Sequence, residues 1–324
     1  MRALICGIGG QDGGYLAKFL LGKGYEVYGT SRDIHLMSNR GLHVLNIADQ
    51  VVLRSMAIND FRSVLTVLAE VNPDEVYNLA GQSSVGLSFE QPVETMESIA
   101  IGTLNLLEAI RFLKPSIRFY SAGSSECFGD TGHEVADETT AFKPRSPYAV
   151  AKATAFWQVA NYREAYKLHA SNGILFNHES PMRPERFVTR KIVATACRIA
   201  RGSEEILTLG DTNICRDWGW APNYVEAMWA MTQQDQGGDY VVATGRTVSL
   251  SYFIEQVFAE LNLDWRMHVN SDPQLYLPSD IRQSHGNPER ARRVLGWHHT
   301  LEVDEVVQEM VRAQLKAESN ASSV

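Results

Sequence analysis

The feature that most constrains the fold is a glycine-rich turn near the N-terminus. Gly7-Ile-Gly-Gly10-Gln-Asp-Gly13 lies between an apolar run at residues 2–6 and a run with helical apolar spacing at residues 15–21. The first glycine permits a tight turn, the second lets backbone approach a pyrophosphate, and the third lets the helix pack closely on the strand. The helix start then offers free N–H groups and a positive dipole end to an anion. Strand, glycine turn and helix in this order predict a dinucleotide site, with Gly7, Gly10, Gln11, Asp12 and Gly13 as its first contacts.

The pattern repeats along the N-terminal half. Strand-like runs at 26–30, 51–53, 75–80 and 117–122 alternate with helical periodicity at 61–71, 95–113 and 148–166. Continuous apolar strands separated by helices predict an α/β fold, a Rossmann-type doubly wound parallel sheet covered on both faces. Past residue 176 the elements become short and mixed, with helices near 188–201, 222–234, 248–262 and 301–317 and a strand at 240–243. This predicts a dinucleotide-binding domain over 1–176, a smaller mixed α/β substrate lobe over 177–317 whose elements can cross back to the first domain, and a loose polar tail over 318–324.

Composition narrows the classes further. Of 324 residues, 44% are hydrophobic and 21% charged, the usage of an ordinary globular chain, and the net charge is −8. An acidic surface repels polyanions, so neither nucleic acid nor a membrane surface is an expected partner. The apolar runs stop short of the roughly 18 residues a membrane span needs. Cys6, Cys127, Cys197 and Cys215 are widely spaced without a C-x-x-C pair. They are expected to be reduced thiols of a cytoplasmic protein, with no metal site.

The end of the second strand chooses the dinucleotide. An acidic residue there suits the ribose 2′-hydroxyl of NAD, and an arginine suits the extra phosphate of NADP. The sequence reads Thr30-Ser31-Arg32-Asp33. Arg32 favours NADP, and Asp33 leaves NAD as the alternative. Further on, Tyr148 and Lys152 stand four apart, on one face of a helix. An ammonium beside a phenol lowers its pKa, and a phenol so tuned can take a proton from a sugar hydroxyl while hydride leaves for a nicotinamide.

Together, Gly7-x-x-Gly10-x-x-Gly13, Asn78-Leu-Ala-Gly81 and Tyr148-x-x-x-Lys152 resemble the extended short-chain dehydrogenase/reductase family. The resemblance implies a nicotinamide cofactor and a nucleotide-sugar substrate. Within the family, Ser124-Ser-Glu126 places a glutamate where epimerases carry a hydroxyl residue and 4,6-dehydratases carry a carboxylate. Oxidation at C4 acidifies the C5 proton, a carboxylate can remove that proton, and the C6 hydroxyl leaves as water. Ser124 would hydrogen-bond the C4 oxygen beside Tyr148.

The runs Phe176-Asn-His-Glu-Ser-Pro181, Phe187-Val-Thr-Arg-Lys191 and Arg216-Asp-Trp-Gly219 resemble the GDP-mannose 4,6-dehydratase branch in particular. That branch implies Ser124, Glu126, Tyr148 and Lys152 as catalytic residues. It puts Leu79, Ala80, Gln82, Ser83, His178 and Arg183 beside the cofactor with Lys152. It assigns Ser83, Ser88, Asn177, Val188, Lys191 and Arg216 to the GDP-sugar. Where an arginine–proline pair is expected near the diphosphate, the chain reads Leu277-Pro278, and Arg282 is assigned in compensation. A related GDP-hexose or GDP-heptose, or a same-fold keto-sugar reductase or epimerase, are the alternative readings. Helices 95–113 and 148–166 carry apolar residues beyond one face, and the matching pair forms a dimer interface in the family. A homodimer is therefore expected, with a tetramer as the alternative.

Overall fold

The computed structural model describes residues 1–276 and 278–321. Leu277 therefore lies outside the described residues, as do residues 322–324 of the expected tail. The chain runs β1 (Arg2–Cys6), α1 (Gln11–Gly22), β2 (Glu26–Ser31), α2 (Arg40–Val44), β3 (Val51–Ser55), α3 (Phe61–Val71) and β4 (Glu75–Asn78). It continues through α4 (Val85–Glu90), α5 (Pro92–Met96), α6 (Gly102–Leu113), β5 (Arg118–Ala122), α7 (Pro147–Tyr166), β6 (Ala170–Leu175) and β7 (Asn177–Glu179). The remainder is α8 (Val188–Ala200), β8 (Leu207–Leu209), β9 (Cys215–Trp220), α9 (Ala221–Gln233), β10 (Asp239–Val242), β11 (Thr247–Ser249), α10 (Leu250–Glu260), β12 (Val269–Ser271) and α11 (Val303–Ala321).

Seven strands form one parallel sheet in the order β10-β6-β5-β4-β1-β2-β3. The order reverses between β1 and β4, and the register aligns Cys6 with both Thr30 and Asn78. A crevice opens at such a switch point beyond the strands' C-terminal ends. Every residue of β4 and β6 is buried, as expected for strands covered on both faces. One core packs α1 and α9 against the sheet through Ile5, Leu16, Leu20 and Met228. The other packs α3, α6 and α7 on the opposite face through Leu4, Val64, Leu107 and Val159.

The C-terminal elements form a three-stranded sheet, β11-β9-β7, and a two-stranded one, β12-β8. Trp218, Phe253 and Phe258 fill the core between α8, α10 and α11. Two of its elements return to the main body: β10 pairs with β6, and α9 packs on α1. The C-terminal elements are thus interleaved with the N-terminal sheet and its helices.

Several boundaries differ from the sequence expectation. Helix α1 begins at Gln11, with Gly10 as its N-cap, because the phosphate turn is itself the first helical turn. The helix expected at 95–113 starts at Pro92 and widens to a π-type turn over Glu97–Ile101 before continuing as α6. The expected tail is helical as far as Ala321, because α11 continues through Glu318. Among the described residues, no helix is long and apolar enough to cross a membrane, and no cluster of His, Cys, Asp and Glu is placed to hold a metal ion. All four cysteines are free.

Candidate active site

A cleft of about 870 Å³ runs along the C-terminal ends of β1, β4 and β5 and is walled on its far side by the C-terminal lobe. At one end is the glycine turn. Gly7 holds φ +87°, and its N–H donates to Thr30 O at 3.1 Å. A Cβ on Gly7 would lie 2.9 Å from Leu79 O, and one on Gly13 would lie 2.5 Å from Gly7 O. No side chain caps α1, so its first N–H groups remain open to an anion at the cleft floor. This cradle, and the close approach its missing side chains allow, fits the pyrophosphate of a dinucleotide.

Asp12 puts a carboxylate beside that anion site, and His178 answers it. Asp12 Oδ2 lies 3.0 Å from His178 Nε2. His178 Nδ1 lies 2.8 Å from Phe176 O, and the imidazole stacks on Tyr224 at 4.3 Å. Gln11 donates to Asp12 Oδ1 and to His178 O and accepts from Ser180. Arg183 pairs with buried Glu179 at 3.0 Å and donates to His178 O. These contacts tie α1 to β7 and bring His178 and Arg183 to the phosphate turn.

The end of β4 supplies Leu79, Ala80, Gln82 and Ser83, all lining the cleft. Gln82 N–H donates to Ser98 Oγ at 3.2 Å, and Ser98 belongs to the wide turn before α6. Arg32 also lines the cleft, with its guanidinium 2.6 Å from Glu94 on the exposed rim.

Strand β5 delivers the reactive groups. It ends at Ala122, and Ser124 caps the short turn Ser125–Phe128 by accepting from Glu126 N–H. Ser124, Glu126, Tyr148 and Lys152 all line the cleft. Ser146 caps α7 by accepting from Ala149 N–H, which sets Tyr148 and Lys152 in its first turns. Lys152 Nζ donates to Ala122 O at 2.7 Å and lies 5.8 Å from the Tyr148 ring.

Burial pushes the Glu126 carboxyl above its ordinary value; Arg216 opposes the rise and Asp280 adds to it. Burial lowers Lys152 to about 8. The expectation of an acidified phenol is not met. Burial raises Tyr148, with only the hydrogen bond to Ser124 and the charge of Arg183 pulling it back, and the Lys152 ammonium is engaged by a backbone carbonyl.

On the far wall, Asn177, Val188 and Arg216 line the cleft, and Arg216 Nη2 lies 3.5 Å from Asp280 Oδ1. Three expected substrate contacts are placed elsewhere. Ser88 is buried in α4 and donates to Val85 O at 2.6 Å. Lys191 has turned away along α8 to donate to Thr208 O at 2.8 Å. Arg282 is exposed, and its backbone N–H donates to Asp130. The cleft instead includes Arg145, Arg186 and Asp280. No sequence spacing connects these to the glycine turn, and only their place in the folded wall reveals them.

The geometry agrees with what the chain is similar to. A family model described as GDP-mannose 4,6 dehydratase matches residues 4–310. The GDP-mannose 4,6-dehydratase of Sinorhizobium fredii is 44% identical, over 97% of this chain and 96% of that one. GDP-mannose 4,6 dehydratase 1 of Arabidopsis thaliana is 44% identical, over 97% of this chain and 90% of that one. Among solved structures, DesIV, a dTDP-glucose 4,6-dehydratase from Streptomyces venezuelae with NAD bound, superposes at a TM-score of 0.88 with 19% identity over 98% of each chain. RMD from Pseudomonas aeruginosa, complexed with NADPH, superposes at 0.80 with 21% identity over 97% of this chain and 99% of that one. Those two likenesses establish the fold. The match over residues 4–310, together with a glutamate, a tyrosine and a lysine that line one cleft with the glycine turn, establishes that the chain belongs to the GDP-mannose 4,6-dehydratase family.

Proposed function

We propose that the chain is a hydro-lyase that converts GDP-mannose to GDP-4-keto-6-deoxymannose and water. The observation that carries this reading is the carboxyl of Glu126, half-buried in the cleft with Ser124 and Tyr148 just beyond the end of β5. A reductase or epimerase that works at C4 alone has no C5 proton to remove and so no use for that carboxylate. The chemistry a bound nicotinamide supplies is a reversible store of hydride, filled from C4 and emptied at C6.

The protein's groups handle the protons. Tyr148 takes the proton from O4 while Ser124 holds that oxygen. Lys152, anchored on Ala122 O, places a positive charge near the phenol. Glu126 removes the proton from C5, made acidic by the C4 ketone, and passes it to the C6 hydroxyl, which leaves as water. A proton returned to C5 matches the one taken from O4, so water is the only net loss. A carboxyl raised by burial suits both halves of this work, because it holds a proton more tightly than an exposed one and can still release it.

NADP is the proposed dinucleotide. Arg32 at the end of β2 supports it, with Glu94 holding the guanidinium at the rim where the adenosine ribose would lie. We also infer a cytoplasmic homodimer. Phe112 on α6 and Trp157 on α7 are 73% and 63% exposed on adjoining helices. The test is direct. Purified protein given NADP and GDP-mannose should yield a product lighter by one water. Glu126→Gln should lose about 10²–10⁴-fold in that rate while still generating reduced nicotinamide in a single turnover. No dehydrated product from any GDP-hexose would overturn the reading.

A further inference from the structure

At the β2 end of the cleft, Arg32 Nη2 donates to Glu94 Oε1 at 2.6 Å, an ion pair between residues 62 apart in the chain. Arg32 directly follows β2, Glu94 stands on α5, and both line the cleft. The other lining residues from β2 and the stretch after β3, Thr30, Ser31, Met56, Ile58 and Asn59, carry no charge. The neighbouring carboxylate of Asp33 is engaged by backbone, its Oδ1 accepting from His35 N–H at 2.8 Å. This end of the cleft therefore presents one cation already matched by one anion.

In a dinucleotide fold the end of the second strand faces the adenosine ribose. An acidic residue there accepts a hydrogen bond from the 2′-hydroxyl of NAD, and a guanidinium holds the 2′-phosphate of NADP through charge-assisted hydrogen bonds. The Arg32–Glu94 pair offers both. Both side chains are exposed, and an exposed ion pair is weak, so an incoming phosphate can draw Arg32 over. Glu94 has less freedom to withdraw. Its neighbour Thr95 is fully buried, donates to Gln91 O at 2.7 Å and accepts from Gln82 Nε2 at 3.3 Å, which anchors α5 to the segment after β4. The Glu94 carboxylate thus stays close to the guanidinium that a 2′-phosphate must engage, and like charges repel.

We propose that Glu94 is a specificity-determining residue: it competes with the 2′-phosphate for Arg32, offers an acceptor to a free 2′-hydroxyl, and so holds the preference for NADP over NAD to a narrow margin. The chain then takes up either dinucleotide. This rests on the reading of Arg32 as the 2′-phosphate contact.

The test is direct binding, with NADP⁺ and NAD⁺ each titrated calorimetrically into the protein without substrate. The two wild-type Kd values should lie within about tenfold of each other, because a donor and an acceptor face the same 2′ position. Glu94→Gln should bind NADP⁺ about 3–10-fold more tightly, the effect of lifting one exposed like-charge contact, and NAD⁺ no more tightly than before. That gain should shrink in 1 M salt, where screening acts within about 3 Å. Glu94→Asp keeps the charge and should keep NADP⁺ affinity near the wild-type value. Arg32→Gln should weaken NADP⁺ and leave NAD⁺ within about twofold, since only the phosphate needs the guanidinium.

A purely structural role for Glu94 would move both affinities in the same direction at every salt concentration, and that result overturns the proposal. So does a wild type that discriminates by more than about a hundredfold either way, beyond what one exposed pair can balance. If Arg32→Gln leaves NADP⁺ binding unchanged, the NADP reading fails and takes this inference with it. If Arg32→Gln weakens NADP⁺ while Glu94→Gln leaves the ratio of the two affinities unmoved, this inference fails alone.

Discussion

The imidazole Nε2 of His178 lies 3.0 Å from Asp12 Oδ2, so a side chain of β7 neutralises a carboxylate in the first turn of α1. Without it, Asp12 would repel a diphosphate at that helix end. The contact ties the C-terminal lobe to the phosphate turn, across the switch point where the cleft opens.

This pair predicts a pH-dependent stability. Burial opposes charge on His178, but Asp12 outweighs it and raises the imidazole. Burial alone would raise Asp12, but His178, Gln11 and Arg183 together lower it. The Asp12 contribution is present above 3.8 and lost as pH falls through its depressed folded value. The His178 contribution is complete below 6.5 and lost as pH rises through its raised folded value. Between those two values the pair contributes most. Asp12→Asn should therefore reduce unfolding free energy by about 1–3 kcal/mol in that window, and by less at alkaline pH. Denaturant melts across pH measure this, and an equal loss at every pH contradicts it.

Helix α1 offers a matched pair of glycine substitutions. A Cβ at Gly13 would sit 2.5 Å from Gly7 O and 2.7 Å from the Ile8 Cα, both backbone atoms that cannot step aside. Gly13→Ala should cost roughly 1–3 kcal/mol and abolish dinucleotide binding, since the turn itself must open. Gly22, at the other end of the helix, has nothing within 4 Å of its Cβ position. Gly22→Ala should stabilise by about 0.4–1 kcal/mol with cofactor affinity unchanged. Thermal melts and cofactor titration of the two variants should diverge in sign.

Lys152 sets an alkaline limit. Burial lowers its pKa to about 8, against the pull of Cys127 and Asp12. Because kcat/KM reports groups of the free enzyme, it should fall as pH rises through about 8 and the ammonium on Ala122 O loses its charge. Lys152→Arg carries a permanent charge, so its residual kcat/KM should stay flat through the same range. A limb unchanged in the arginine variant would assign it to another group.

These predictions draw unequally on what the sequence makes visible. The glycine turn, the Tyr148–Lys152 spacing and Glu126 at a strand end are local patterns, and local patterns determine which strand end carries which group. Helix α3 spans Phe61–Val71, as its apolar period indicates, because one face alone packs on the sheet and Asn72 stops it in the left-handed region. Helix α1 begins before its first apolar residue because glycine turns carry no hydrophobic period. Strands of three residues, such as β7, β8 and β11, are too short to show alternation. Lys191 and Arg282 fail as cleft contacts for a different reason. Sequence places a long side chain on an element but not its far end, and Lys191 spends its ammonium on Thr208 O. Asp280 meets Arg216 only through the packing of a loop on β9.

The last prediction concerns assembly. Along α7, Val150, Trp157 and Asn161 face outward, and Val150 and Trp157 are large apolar groups exposed at 41% and 63%. On α6, packed beside it, Phe112 is 73% exposed. Exposed apolar area gathered on two adjacent helices is costly in water and suits a two-fold interface in which the same face meets itself. Trp157→Arg would place two cations near each other across that two-fold. Light scattering should give twice the chain mass for the wild type and the single-chain mass for Trp157→Arg. Because Trp157 does not line the cleft, the monomeric variant should keep its dinucleotide affinity while losing thermal stability. A wild type that scatters as a single chain at micromolar concentration would rule this interface out.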